Sequence, residues 1–81
     1  MNEITEEKRE QMNRLYFAAI EFRKAQLKYC ENVCATRTRE MLESGERLHR
    51  ILCDINGGKD PVCFMSQTQA ICETAAMLAR E

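Results

Sequence analysis

Apolar residues recur at spacings of three and four along the first two thirds of the chain, with charged residues between them. No proline precedes Pro61, and Thr5 followed by two glutamates is typical of a helix N-terminus, because the threonine hydroxyl accepts from a free backbone N–H group. The pattern predicts one helix over about residues 5–55, roughly 75 Å long. Its apolar stripe consists of Tyr16, Ile20, Leu27, Cys30, Cys34, Met41, Leu48, Leu52 and Ile55.

A stop signal follows this stripe. Asn56, Gly57 and Gly58 accept left-handed backbone angles, which predicts a turn over residues 56–60. Asp60 suits the N-cap and Pro61 the first position of a second helix over about residues 61–80. Because the connection is short, we expect the two helices to be antiparallel neighbours. The second stripe consists of Val62, Phe64, Met65, Thr68, Ile71, Cys72, Ala75, Leu78 and Ala79.

The two predicted helices differ in length. The second helix can cover only about residues 35–55, so residues 12–34 are left without an intramolecular partner. This uncovered half contains most of the aromatic residues, and a long exposed apolar face usually marks an interface. We therefore predict an all-α fold with a single domain over residues 1–81. A long helix and a shorter antiparallel helix form a hairpin, which a second copy completes into a bundle or coiled coil, most simply as a homodimer.

This division assigns the large apolar residues to two sets. The predicted hairpin core consists of Met41, Leu48, Leu52, Ile55, Met65, Ile71 and Leu78. The residues predicted to contact a partner or an apolar surface are Tyr16, Phe17, Ile20, Phe22 and Leu27.

Charge and composition narrow the functional classes. The chain has 12 Lys plus Arg against 13 Asp plus Glu, so its net charge of -1 favours no nucleic-acid partner. A basic cluster of Arg14, Arg23, Lys24 and Lys28 is expected to be a solvated helix face. The first residues are polar and acidic, and no apolar run reaches the ~20 residues that span a bilayer. We expect a cytoplasmic protein with reduced thiols and no transmembrane segment.

Cysteine and histidine spacing suggests chemistry only weakly. Cys30 and Cys34 are four residues apart, as are His49 and Cys53, so either pair could supply two zinc ligands. We expect instead that the cysteines pack as small apolar residues, that Cys72 lies in the core and that His49 is half-exposed. Cys53 and Cys63 flank the turn, where a switchable disulfide is a further geometric option.

No constellation of catalytic groups is evident in the sequence. It contains no glycine-rich phosphate loop, and no nucleophile is paired with a base near the single histidine. We therefore expect no enzymatic activity, no catalytic residues, no metal site and no cofactor.

Three further features resemble the phasins, which coat polyhydroxyalkanoate storage granules. They are the aromatic-rich amphipathic segment 16–22, the break Lys59-Asp60-Pro61, and the apolar and glutamine-containing segment 64–69 that leads into an alanine-rich end. The resemblance covers about residues 16–80. It implies amphipathic helices that lie on a hydrophobic polymer and self-associate. The chain departs from that pattern in being short, in lacking an alanine- and lysine-rich tail and in having five cysteines.

Three functional hypotheses follow. The first is a phasin-like protein that coats or organises a polyester granule surface, binding the polymer or a granule-associated protein. The second is a helical-hairpin dimer that acts as a protein-binding adaptor or regulator. The third is a thiol sensor or metal protein that uses Cys30, Cys34, Cys53 and Cys63.

Overall fold

The fold is all-α, as the sequence predicts. The computed structural model describes residues 5–63 and 65–80. Helix α1 spans Glu6–Glu31, α2 spans Ala35–Ile55 and α3 spans Gln67–Ala79, with a single 3-10 turn over Pro61–Cys63 between α2 and α3. The molecule measures 49 × 23 × 16 Å, so the bundle is elongated along its helices.

The predicted helix over residues 5–55 is in fact two helices. Thr5 caps α1 as expected, its Oγ1 accepting from the Lys8 backbone N–H at 3.1 Å. The chain leaves the helix at Asn32 and re-enters it after Cys34, both with extended backbone angles. Asn, Val and Cys are all weak helix formers, each about 0.5–0.7 kcal/mol less favourable than alanine. The helix is therefore interrupted at a point that contains neither glycine nor proline. For that reason no strong signal for the break is present in the sequence.

Helix α2 folds back antiparallel along α1. Arg14 on α1 pairs with Asp54 at 3.7 Å, and Glu21 on α1 pairs with Arg47 at 3.6 Å. Residue numbers rise along α1 as those of the contacting residues fall along α2, which is the pairing of antiparallel helices. Residues 12–31 consequently have an intramolecular partner, contrary to the prediction. The sequence argument for a homodimer, which rested on an uncovered half, loses its premise.

One core joins the three helices. Its buried apolar residues are Leu15, Ala18, Leu48, Leu52 and Ala70, with Ile55, Met65 and Ile71 packed partly buried against it. Leu48 and Leu52 are fully buried and Leu78 nearly so, whereas Met41 is only half-buried. All seven residues expected in the hairpin core are thus buried or partly buried in the folded chain.

Phe22 belongs to this core and not to a contact surface. Its ring packs partly buried against the core and lies over Gly45 of α2, where a Cβ atom would stand only 2.9 Å from Phe22 Cε1. The inward face of α1 is centred on Leu15, Ala18 and Phe22, about 145° around the helix from the centre of the Tyr16 stripe. The assignment of Phe22 to partner contact is wrong for that reason.

Helix α3 begins later than predicted. Asp60 caps only the 3-10 turn, its Oδ1 accepting from the Val62 N–H at 3.0 Å, and Ser66 caps α3 by accepting from the Gln69 N–H at 3.1 Å. The inward face of α3 is Ala70, Thr74 and Leu78. Cys72 faces solvent, so its expected place in the core is wrong. The predicted stripe residue Phe64 lies outside the described residues.

A polar contact joins α3 to the end of α2. The Asn56 side-chain amide donates to the Leu52 carbonyl at 2.7 Å and to Thr74 Oγ1 at 3.0 Å. The Thr74 hydroxyl is buried, and this bond satisfies it within the core.

Candidate functional site

The solvent side of α1 carries large apolar residues that the core does not use. Tyr16 is 63% exposed, Phe17 62% and Leu27 50%, while Ile20 between them is half-buried. We call these four residues the outer face of α1. They are four of the five residues that the sequence assigned to partner or surface contact.

Helix geometry explains why these side chains are grouped. Leu27 follows Tyr16 by eleven residues, about three helical turns, and Ile20 follows it by four, so the three share one side of α1. Phe17 flanks them, and its ring meets that of Tyr16 edge to face with centroids 5.9 Å apart. Such ring pairs contribute about 0.5–1.5 kcal/mol beyond their buried area. The two rings therefore form a pre-arranged apolar patch.

The basic residues of α1 flank this patch. Arg14, Arg23, Lys24 and Lys28 are all exposed, as expected of a solvated helix face. Arg14 is engaged with Asp54, and Arg23 donates to Gln26 Oε1 at 3.5 Å. Exposed pairs of this kind contribute little stability, so these residues mainly keep the rim of the patch in water.

A second group of chemically active side chains lies at the C-terminal end of α2 and in the loop that follows it. His49 and Cys53 are one turn apart on α2, and the loop after α2 brings Asp60 back to them. His49 Nε2 lies 3.0 Å from Asp60 Oδ1 and 3.7 Å from Cys53 Sγ. Cys63 Sγ donates to Asp60 Oδ2 at 3.5 Å. We call His49, Cys53 and Asp60 the His–Cys–Asp cluster.

The turn between α2 and Asp60 holds this arrangement. Gly57 and Gly58 adopt φ angles of 71° and 87°, which side-chain-bearing residues rarely adopt. The Gly58 N–H donates to the Cys53 carbonyl at 2.8 Å and closes the end of α2. The chain can therefore reverse sharply, and Asp60 returns to the helix it has just left.

The cluster shifts the proton affinity of its members. The hydrogen bond from His49 is the main cause that lowers the pKa of the Asp60 carboxyl, with the Val62 N–H acting in the same direction against partial burial. Partial burial, and then the Asp60 charge, raises the pKa of the Cys53 thiol. The hydrogen bond to Asp60 raises the pKa of the Cys63 thiol. Since the thiolate is the nucleophile, neither thiol is activated for disulfide exchange in this arrangement.

The remaining cysteines do not join either group. The break in the helix lies between Cys30 and Cys34, so the two no longer share a helix face as expected. Cys30 is exposed at the end of α1, and Cys34 is the half-buried N-cap residue of α2. His49 is half-exposed, as predicted, with 43% of its side chain accessible.

Sequence reasoning missed one member of the cluster and part of the core. The sequence predicts only a capping role for Asp60, because no local pattern shows that a loop residue returns to the helix before it. Leu15, Ala18 and Ala70 were missed in the core, although Leu15 and Phe22 have the seven-residue spacing of an apolar helix face. The sequence therefore contained two candidate apolar faces on α1, and the one with Tyr16 and Ile20 was the more prominent.

Comparison with known proteins adds no assignment. None of the helices in the part of the chain that the structure describes is both long and apolar enough to cross a membrane. No protein-family model matches the chain, and neither a curated protein nor a solved structure gives a significant match.

Proposed function

We propose that this protein is a phasin-like amphipathic helical protein that coats or organises a hydrophobic polyester granule in the cytoplasm and self-associates there. The outer face of α1 is the contact surface. The observation that supports this most is that Tyr16, Phe17 and Leu27 stay at least half exposed although the helices have already closed a core. The proposal involves no catalysis.

The shape of the surface favours an extended apolar phase as the occupant. The outer face runs along one helix of an elongated molecule, so an extended surface can cover it lengthwise. Removing apolar area from water is favourable by about 25 cal/mol per Å², whether the covering phase is polymer or protein. The flanking basic residues can remain in water while the rings are buried. This is how interfacial amphipathic helices bind.

The test is adsorption of the full chain to polyester particles. Tyr16→Ser with Phe17→Ser should weaken adsorption on the order of a hundredfold, because each ring loses about 1–2 kcal/mol of burial. Leu42→Ser is the matched control, since Leu42 is 63% exposed on α2 and lies outside the outer face. The Leu42 control should melt as the wild type does, and the double variant should lose no more than the roughly 0.5–1.5 kcal/mol of its ring pair and remain folded.

Two results would contradict the proposal. One is equal loss of adsorption in the Leu42 control, which would mean that the chain sticks to particles without using a defined face. The other is full adsorption by the double variant while it remains folded. Either result would show that the outer face of α1 is not the surface that binds polyester.

A protein-binding adaptor is the second candidate. It is favoured by the fact that Leu48 and Leu52 are fully buried within one chain, so the molecule has a core before it meets any surface. A folded bundle can offer one helix face to a partner helix. Concentration-dependent self-association without adsorption to polyester particles would support this candidate over the first.

A further inference from the structure

The His–Cys–Asp cluster has the composition of a metal site and not only of an ion pair. An imidazole nitrogen, a thiol sulfur and a carboxylate oxygen all lie within 4.8 Å of one another. His49 Nε2 is the atom nearest to both other groups, at 3.0 Å from Asp60 Oδ1 and 3.7 Å from Cys53 Sγ. The three groups thus converge on one shared volume at the end of α2.

We propose that His49, Cys53 and Asp60 bind one Zn²⁺ ion. Zinc bonds of about 2.0–2.2 Å to nitrogen or oxygen and about 2.3 Å to sulfur, at tetrahedral angles, place ligand atoms roughly 3.4–3.6 Å apart. The observed separations of 3.0 and 3.7 Å lie on either side of that range. The third separation, between Cys53 Sγ and the Asp60 carboxylate, is no more than 4.8 Å, so side-chain rotations that draw the three atoms together would admit the ion.

The loop geometry supports a site of this kind. His49 and Cys53 are held one turn apart by α2, and the glycine turn fixes where Asp60 returns. The Val62 N–H donates to Asp60 Oδ1 at 3.0 Å and orients that carboxylate, as outer hydrogen bonds do for metal ligands. The His49 and Asp60 side chains are 43% and 36% exposed, so an ion can reach them from solvent.

The ligand types favour zinc over magnesium and calcium. Magnesium and calcium prefer oxygen ligands only, whereas a nitrogen, sulfur and oxygen set suits Zn²⁺. A thiolate and a carboxylate also balance the two positive charges of the ion. Three protein ligands leave the fourth tetrahedral position open to solvent. Cys63 stands beside the cluster on the other carboxylate oxygen, 3.5 Å from Asp60 Oδ2.

The test is titration of the reduced full chain with Zn²⁺ alone, followed by calorimetry, and with Co²⁺ followed by visible and near-ultraviolet absorption. We expect one ion per chain and a thiolate-to-cobalt band. Cys53→Ser should abolish that band, and Cys53→Ser or His49→Ala should each weaken zinc binding at least about tenfold, since loss of even an outer-shell partner can cost that much. Cys72→Ser, which removes an exposed thiol on α3, should change neither quantity.

Circular dichroism of each variant without metal controls for folding. The inference is wrong if the wild-type chain binds no stoichiometric zinc, or if folded Cys53→Ser and His49→Ala bind it as the wild type does. It is also wrong if Cys63→Ser weakens binding more than Cys53→Ser, because the ligand set would then be a different one. Zinc binding is read out separately from polyester adsorption, so this inference does not depend on the proposed function.

Discussion

At the scale of the residue, the contact between Phe22 and Gly45 decides how closely α1 and α2 approach. A Cβ atom at position 45 would lie 2.9 Å from Phe22 Cε1, well inside ordinary van der Waals contact. Gly45 lies within α2, where glycine is about 1 kcal/mol less favourable than alanine. The close approach of the ring gives a physical reason for this unfavourable residue at that point.

Gly45→Ala should therefore destabilise the fold by about 1 kcal/mol, because overpacking that costs about 1–3 kcal/mol outweighs the gain in helix propensity. In a Phe22→Ala background the ring is absent, and the same substitution should instead stabilise by up to about 1 kcal/mol. Urea denaturation of the four proteins of this double-mutant cycle measures the difference. Equal effects of Gly45→Ala in the two backgrounds would show that the ring does not constrain the helix approach.

At the scale of the element, α3 depends on polar attachment as well as on apolar packing. Its inward face consists of the small residues Ala70 and Thr74 together with Leu78. Small side chains bury little area, so the hydrogen bonds from Asn56 to Leu52 and Thr74 matter more here than they would beneath a larger interface.

Asn56→Ala should cost about 1–2 kcal/mol and loosen α3 in preference to α1, because it removes both bonds and leaves the buried Thr74 hydroxyl without this donor. Hydrogen exchange of backbone amides measures this loosening helix by helix. Asn13→Ala, at an exposed position of α1, is the control and should leave exchange nearly unchanged. Protection that falls as much in α1 as in α3 would mean that the helices open as one unit.

At the scale of the whole molecule, the single chain already has a closed core and an apolar face outside it. This combination favours a folded monomer that associates further, and not a chain that folds only on association. A pair of outer faces related by a two-fold axis would bring the same residues of both copies together.

Sedimentation over a range of concentrations should show a helical monomer at high dilution and a dimer as the concentration rises. Tyr16→Ser with Phe17→Ser should shift the protein towards monomer without loss of helix content, because these rings are exposed in the single chain. A wild-type chain that loses its helicity on dilution would show that association is required for folding. Self-association that is unaffected by the double variant would place the interface elsewhere.

Local sequence signals determined much of the architecture. Three-and-four spacing determined the all-α class, Thr5 and Gly57-Gly58 marked the helix ends, and the stripe through Leu48 and Leu52 located the buried face of α2. These features depend on residues that are close together in the chain, so periodicity, capping and backbone freedom are sufficient to find them.

Only the tertiary structure decided the features that depend on distant residues. The break at Asn32–Cys34 is stabilised by the packing of α1 on α2 and not by a strong local stop signal. The inward face of α1 was set by which side chains fit against α2, where Phe22 lies over Gly45. The return of Asp60 to His49 likewise depends on the path of the loop through space. Spacing along the chain does not choose between these arrangements and their alternatives, because each depends on which segments meet in space.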